Sequence, residues 1–367
     1  MKKLAISIAF GALSIITMQC NARELTNQNN NNNMNPNTNM SVAPMESLEL
    51  TQEWDKVFPK SEKVDHRKVT FVNRYGVTLA ADMYTPKNAS GNLPAIAVSG
   101  PFGAVKEQSS GLYAQQLAER GFLTIAFDPS FTGESSGMPR RVASPDINTE
   151  DFSAAVDFLS VQANVDAERI GILGICGWGG IAIQAAINDP RIKATVASTM
   201  YDMTRVTANG YFDADNSAEK RNANRKALAA QRTEDYRNGS YKRAGGVIDP
   251  LPEDVPQFVK DYHAYYKTPR GFHPRSGNST DGWNATSALP FMNFKFFEYA
   301  GELENAVLIV HGDKAHSYYF GKDTFALLKG DNKHLLTVKD ATHCDLYDRL
   351  DKIPFDEIAA FYTEYMR

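Results

Sequence analysis

Arg169-Ile-Gly-Ile-Leu-Gly-Ile-Cys176-Gly177-Trp178-Gly179-Gly180 runs directly into Ile181-Ala-Ile-Gln-Ala-Ala186. An apolar run of strand character breaks on a glycine-dense turn, and a helical pattern begins at once. One reactive side chain, Cys176, stands at the tip of that turn. There it clears the sheet and faces a helix N-terminus, whose free N–H groups and positive dipole end favour an anion. Strand, Gly-x-nucleophile-x-Gly, helix is the layout of a nucleophile elbow. Far downstream, Val338-Lys-Asp-Ala-Thr-His343-Cys344-Asp345-Leu-Tyr347 places a histidine just after another short apolar run.

The same rhythm extends outward on both sides of the elbow. Residues 69–73 and 77–84 flank Tyr75-Gly76 and read as a hairpin. Residues 93–99 and 123–127 are continuous apolar runs of the kind buried on both faces of a parallel sheet. Further strands are expected at 170–175, 192–199, 307–310 and 335–338, with helices at 110–120, 150–161, 177–188, 322–328 and 356–365. This alternation predicts an α/β fold with a mostly parallel, doubly wound sheet and helices on both faces. The rhythm stops over 202–304, a polar-aromatic stretch with helical patterns at 218–231 and 255–266. That stretch is expected to be a lid inserted between the sixth and seventh strands. Residues 61–201 and 305–367 then form the core.

Nucleophile first and histidine last is the chain order of α/β-hydrolases. The chain resembles that superfamily, and within it the bacterial dienelactone-hydrolase-like group with a Gly-Ile-Cys elbow. Three further segments carry the resemblance: Ser99-Gly100-Pro101-Phe102-Gly103-Ala-Val-Lys106-Glu107-Gln108, Phe127-Asp128 with Gly133-Glu-Ser135-Ser-Gly137, and Ala341-Thr-His343. The resemblance implies Cys176 as nucleophile and His343 as base. It places one oxyanion donor at the backbone N–H of Gly177 and the other on the loop after the third strand, at Phe102 or Gly103. It puts the orienting acid after the seventh strand. Many members carry that acid three residues after the strand's glycine, where this chain has Ala315. Asp313 is therefore an imperfect substitute, Asp202 an alternative, and a bare dyad the remaining case. A thiol tolerates a dyad better than a hydroxyl does, because it ionises more readily.

Other residues have competing readings. Trp178 stands where such elbows are usually small; it either blocks the site or forms a wall of it, and it is expected with Tyr201 among the substrate-binding residues. Asp128 reads as a turn builder, and Lys106-Glu107 as either rim or buried ion pair. Cys344 reads as packing, although a Cys176–Cys344 bridge is conceivable. His311, Asp313 and His316 crowd one strand end but lack further ligands at metal-site spacing. Nothing signals a cofactor.

The 367 residues carry a net charge of −4 without a basic cluster, which argues against nucleic acid as a partner. Met1-Lys2-Lys3 followed by an apolar run to Thr17 reads as a signal peptide over 1–22. The protein is thus expected to be exported, either periplasmic or lipid-anchored through Cys20, with possible envelope association. Nine of the thirteen residues from Asn27 to Asn39 are Asn, so 23–60 is expected to be a disordered linker, with a short helix over 47–58. The activity expected is cleavage of a carboxylic ester or lactone, in a small molecule or linked to a glycan, through a Cys176 acyl-enzyme. Acyl transfer on the same fold and a non-catalytic ligand-binding hydrolase relative are the alternatives, with a peptidase of the same fold a weaker one.

Overall fold

The computed structural model describes residues 45–367. The expected signal peptide, Cys20 and the Asn-rich run lie outside the described residues. Eight strands form one sheet: β1 (Val64–Val72), β2 (Thr78–Pro86), β3 (Leu93–Ser99), β4 (Leu123–Phe127), β5 (Val165–Ile175), β6 (Ala194–Ser198), β7 (Ala306–Gly312) and β8 (Lys333–Val338). Their order is β1-β2-β4-β3-β5-β6-β7-β8. The β1–β2 and β2–β4 pairs are antiparallel, and the remaining pairs are parallel. Every residue of β4, β6 and β7 is buried. Continuous apolar runs are what a strand covered on both faces requires.

Helices α1 (Ser109–Ala118), α2 (Pro145–Ser160) and α3 (Gly177–Asn188) follow β3, β4 and β5. Ser144 caps α2 by accepting from the Ile147 N–H, and Pro145 fits the first turn, where no N–H partner is needed. Between β6 and β7 lie α4 (Met203–Asn209), α5 (Ala218–Asn238), α6 (Gln257–Tyr266) and α7 (Ala288–Asn293). Helices α8 (Tyr318–Leu327), α9 (Asp345–Asp348) and α10 (Phe355–Tyr365) complete the fold. Phe152, Val156 and Ile181 from α2 and α3 join one apolar core. Tyr113, Leu117, Ile358 and Tyr362 from α1 and α10 join another. Among the described residues no helix is long and apolar enough to cross a membrane.

Residues 45–60 correct the expectation of a linker carrying a helix. No helix forms there, yet the segment is pinned to the core. The Val57 N–H donates to the Glu107 carbonyl at 3.0 Å, and the Trp54 indole N–H to the Phe58 carbonyl at 2.9 Å. Lys56 is buried and lies 2.9 Å from Asp82. A buried ammonium is held in place by its counter-charge, and sequence periodicity carries no trace of that partner.

The sheet order fixes where chemistry can occur. From β3 the chain moves outward to β4, then returns to the other side of β3 as β5. The loops after β3 and β5 therefore diverge at a switch point, the crevice where open α/β sheets bind ligands. Ser99 and Gly174 are paired across these strands, so both loops start level.

Candidate active site

Cys176 occupies the turn between β5 and α3 with φ 58° and ψ −127°. A non-glycine residue there is strained, and strain of this kind persists only where its surroundings over-determine it. The surroundings are glycines. A Cβ at Gly174 would lie 1.9 Å from the Trp178 carbonyl oxygen, and one at Gly180 would lie 2.2 Å from that of Tyr201. A Cβ at Gly177 would press on Met203 and Phe102, both at 2.8 Å. The elbow is thus tight although residue 178 is tryptophan. Trp178 points into the core, edge-on to Phe127 and Phe152 at 5.7 and 5.4 Å. This corrects its expected place beside the substrate: it does not line the cavity that holds Cys176.

That cavity is about 250 Å³, and Phe102, Tyr201, Tyr211, Tyr262, Trp283 and Tyr347 supply its aromatic walls. Met203, Val206, Val247 and Asn278 also face it, and none of the described residues lining it is charged at neutral pH. Burial pushes the Cys176 thiol up from its ordinary value. The hydroxyl of Tyr347, the backbone N–H groups of Gly177 and Phe102, and the hydroxyl of Tyr262 pull it partly back by hydrogen bonding. The two backbone N–H groups expected to form the oxyanion hole are thus both among the groups that favour the thiolate. Loop 275–283 clamps the turn carrying Phe102: Asn278 donates to the Phe102 carbonyl at 2.8 Å, and Ser276 to that of Gly103 at 2.9 Å.

His343 follows β8 and is sealed at 1% exposure. Its Nε2 meets the Tyr347 hydroxyl at 3.0 Å. Tyr347, on the short helix just after the histidine, thus joins the imidazole to the cavity that holds the thiol. Sequence reasoning missed it; its spacing of four residues from His343, one helical turn, was the available signal. On the other side, His343 Nδ1 lies 2.6 Å from Ser317 Oγ and 2.9 Å from Thr199 Oγ1. Thr199 reaches it from a left-handed backbone position, φ 44°, at the end of β6.

Neither acid candidate reaches the imidazole. Asp313 is exposed. Asp202 is spent on capping α4, accepting from the Thr204 and Arg205 N–H groups at 2.9 and 3.0 Å and from Thr204 Oγ1 at 2.6 Å. Two hydroxyls hold Nδ1 where an acid was expected. Burial, then His316 and His311, hold His343 well below the ordinary imidazole range. Both shifts favour the neutral thiol and the neutral imidazole over an ion pair. Cys176 and Cys344 are both free.

Beneath the oxyanion loop lies a buried ion cluster. Lys106 Nζ contacts Glu107, Asp128 and Glu134 at 2.7, 2.8 and 2.6 Å. These three carboxylates lie close enough together to hold a metal ion, and the ammonium occupies the cation's position among them. Asp128 also accepts the backbone N–H groups of Lys106 and Glu134, both at 2.8 Å, so it shapes the loops and does not reach the cavity. Arg275 joins the cluster at Glu107, 2.8 Å, and Asp55, 2.6 Å.

With this geometry in place, comparison with known proteins settles the lineage. The sequence profile of X-Pro dipeptidyl-peptidase (S15 family) matches residues 75–344. The chain belongs to the S15 family. The match takes in both the elbow and His343, and the architecture is that of an α/β-hydrolase. Uncharacterized protein PA2218 of Pseudomonas aeruginosa is 57% identical over 323 residues, 87% of this chain and 86% of that protein. Its crystal structure superposes with a TM-score of 0.85 over 87% of this chain and 99% of that one, at 56% identity. The α/β hydrolase GrgF from Penicillium shares the fold at 18% identity, with a TM-score of 0.69 over 82% of this chain and 99% of that one. Thiohydrolase aneE of Aspergillus aculeatus is 34% identical over 137 residues, 37% of this chain and 42% of that protein. This S15 member is thus an α/β-hydrolase by fold, with Cys176 in the turn between β5 and α3.

Proposed function

We propose that the protein cleaves a neutral, activated acyl compound, a thioester or aryl ester, through a Cys176 acyl-enzyme. The observation that carries this reading is the uncharged, aromatic cavity that holds Cys176 and Phe102 together, while His343 has no carboxylate behind it. The thiol proton passes to Tyr347 Oη as the Tyr347 proton passes to His343 Nε2. His343 keeps its Nδ1–H on Ser317 or Thr199. Sγ bonds to the acyl carbon, and the carbonyl oxygen takes its negative charge between the N–H groups of Gly177 and Phe102. Collapse of this adduct breaks the bond to the leaving group, which departs with its electron pair. Water then attacks the acyl carbon, the C–S bond breaks, the proton held on His343 returns to Sγ, and the carboxylate leaves with the two water protons released to solvent.

Without a carboxylate, the imidazolium formed on the way has no compensating charge. Expulsion of an amine or alkoxide needs that imidazolium as an acid. A thiolate or phenolate leaves without it, which favours activated substrates. The name of the relative thiohydrolase aneE supports this. A dipeptidyl-peptidase substrate presents a cationic N-terminus, and no carboxylate among the described residues lines the cavity to receive it. The dienelactone-hydrolase-like placement within the superfamily belongs to the same proposal, as does export through the N-terminal leader.

The test is turnover of p-nitrophenyl butyrate, S-phenyl thiobutyrate and an alanyl-prolyl anilide by wild type and C176A. The reading expects thioester and aryl ester cleavage lost in C176A, and no anilide cleavage. Full ester cleavage by C176A, or preference for the anilide, overturns it. A second reading, a ligand-holding relative that does no chemistry, is favoured by the raised thiol. Absence of turnover on all three, with thermal stabilisation by a hydrophobic ester, would select it.

A further inference from the structure

His343 is not the sole histidine joined to the cavity that holds the thiol. Tyr262 lines the cavity that holds Cys176, and its Oη lies 2.9 Å from Tyr201 Oη. Tyr201 Oη in turn bonds His316 Nε2. A chain of hydroxyls therefore leads from the wall of the thiol's cavity to a second imidazole. Packing fixes every member. The His316 ring stacks on Phe258 with centroids 4.2 Å apart and planes at 17°, and Tyr201 is buried at 3% exposure. No element of the reaction as proposed above uses this chain.

The two imidazoles differ in their access to water. His343 is sealed, with its ring nitrogens on Tyr347 and on two buried hydroxyls. His316 is only half-buried, and its Nδ1 makes no hydrogen bond among the described residues. A proton delivered to His343 has no outlet except back through Tyr347, whereas one delivered to His316 can leave to solvent from Nδ1. The groups facing His316 are Phe258 and Tyr262 from α6, Tyr201 from the loop after β6, Tyr211 from the loop after α4, and His343 from the loop after β8. His311 acts on it from β7. No carboxylate is among them. Burial, then His311, hold His316 down to about 4, so at neutral pH it is an empty acceptor.

We propose that His316, acting through Tyr201 and Tyr262, is a second proton acceptor for Cys176 and the one that exchanges with solvent. Sγ gives its proton to Tyr262 Oη, Tyr262 gives its own to Tyr201 Oη, and Tyr201 gives its own to His316 Nε2. Both tyrosines end neutral, and His316 then releases its Nδ1 proton to water. The inference rests on Cys176 being the nucleophile, but its test does not require turnover.

The experiment is the rate of Cys176 alkylation by iodoacetamide, read at the Cys176 peptide by mass spectrometry so that Cys344 does not interfere. Wild type, H316Q, Y201F, the double variant and H343Q are compared from pH 5 to 9. The relay predicts that H316Q and Y201F each slow alkylation at neutral pH by at least about tenfold. The double variant is no slower than either single one, since both cut one chain. Imidazole added to H316A restores the rate, and added to Y201F does not. Unchanged alkylation in H316Q with loss in H343Q would overturn the proposal, placing all proton transfer on Tyr347 and His343. Additive losses without imidazole rescue would also overturn it, making His316 a packing residue. Loss of ester turnover in C176A is scored separately, so failure of the functional reading and failure of the relay give different results.

Discussion

At the scale of single residues, the candidate site is a contest between burial and hydrogen bonding. A buried thiol resists ionisation, and four donors oppose that; a buried imidazole resists protonation, and no carboxylate opposes that. The balance makes Tyr347 decisive, because it is the group through which thiol and imidazole meet. Y347F should lower kcat/KM on an aryl ester by about a hundredfold, within the range of general acid–base effects, with KM little changed. A loss below about threefold would remove Tyr347 from the proton path. D313N should leave kcat/KM within about twofold, because the exposed carboxylate does not reach His343. A large loss in D313N would mean that the acid swings in when substrate binds. Cys176 and His343 were legible because each follows an apolar strand at the position where chemistry projects from a sheet. The Nδ1 partners were not, since Thr199 and Ser317 are ordinary hydroxyl residues until β6, β7 and β8 bring them together.

At the scale of elements, the elbow is held by glycines whose role is room. G174A would set its Cβ 1.9 Å from the Trp178 carbonyl, a backbone atom that cannot step aside. It should cost at least about 3 kcal/mol, at the upper end of overpacking effects, and lower alkylation of Cys176 by misplacing the turn. A urea midpoint equal to wild type would show that β5 and α3 are not locked as described. The elbow glycines were legible as a motif, but the aim of Trp178 was not. Its ring direction is set by the pocket between Phe127 and Phe152, residues 51 and 26 positions upstream.

At the scale of the whole molecule, two devices tie separate segments together. The first is the ion cluster around Lys106, which joins the N-terminal segment, the oxyanion loop, the loop after β4 and, through Arg275, the insertion. K106M removes the cation from three buried carboxylates and should destabilise the fold by about 3–5 kcal/mol, the cost of breaking a buried pair from one side. A loss under 1 kcal/mol in chemical denaturation would show that water already reaches the cluster. The second device is the set of neutral histidines. His311 and His316 are held down to about 4 in the fold, against 6.5 in the unfolded chain. Between these values the unfolded chain binds more protons, so stability is complete above pH 6.5 and falls as pH drops towards 4. Glu134, held down to about 2 by Lys106 against its burial, extends the loss from pH 4.5 towards 2. The urea midpoint should therefore decline steadily from pH 7 to pH 4; a flat profile between 7 and 5 would show the histidines solvated.

Local chemistry in the sequence determined the strand–helix alternation, the sheet class, the elbow and the place of the late histidine, because each depends on periodicity and turn residues within about a dozen positions. Residues far apart in the chain meet only when the sheet closes, and those meetings decided the rest. Lys56 found Asp82, Arg275 found Glu107, and Thr199 and Ser317 took the place of an acid on His343. Tyr201 and Tyr262 joined His316 to the cavity wall. Such polar partners carry no period in the sequence, since each is fixed by the one geometry that satisfies its buried charge or hydroxyl.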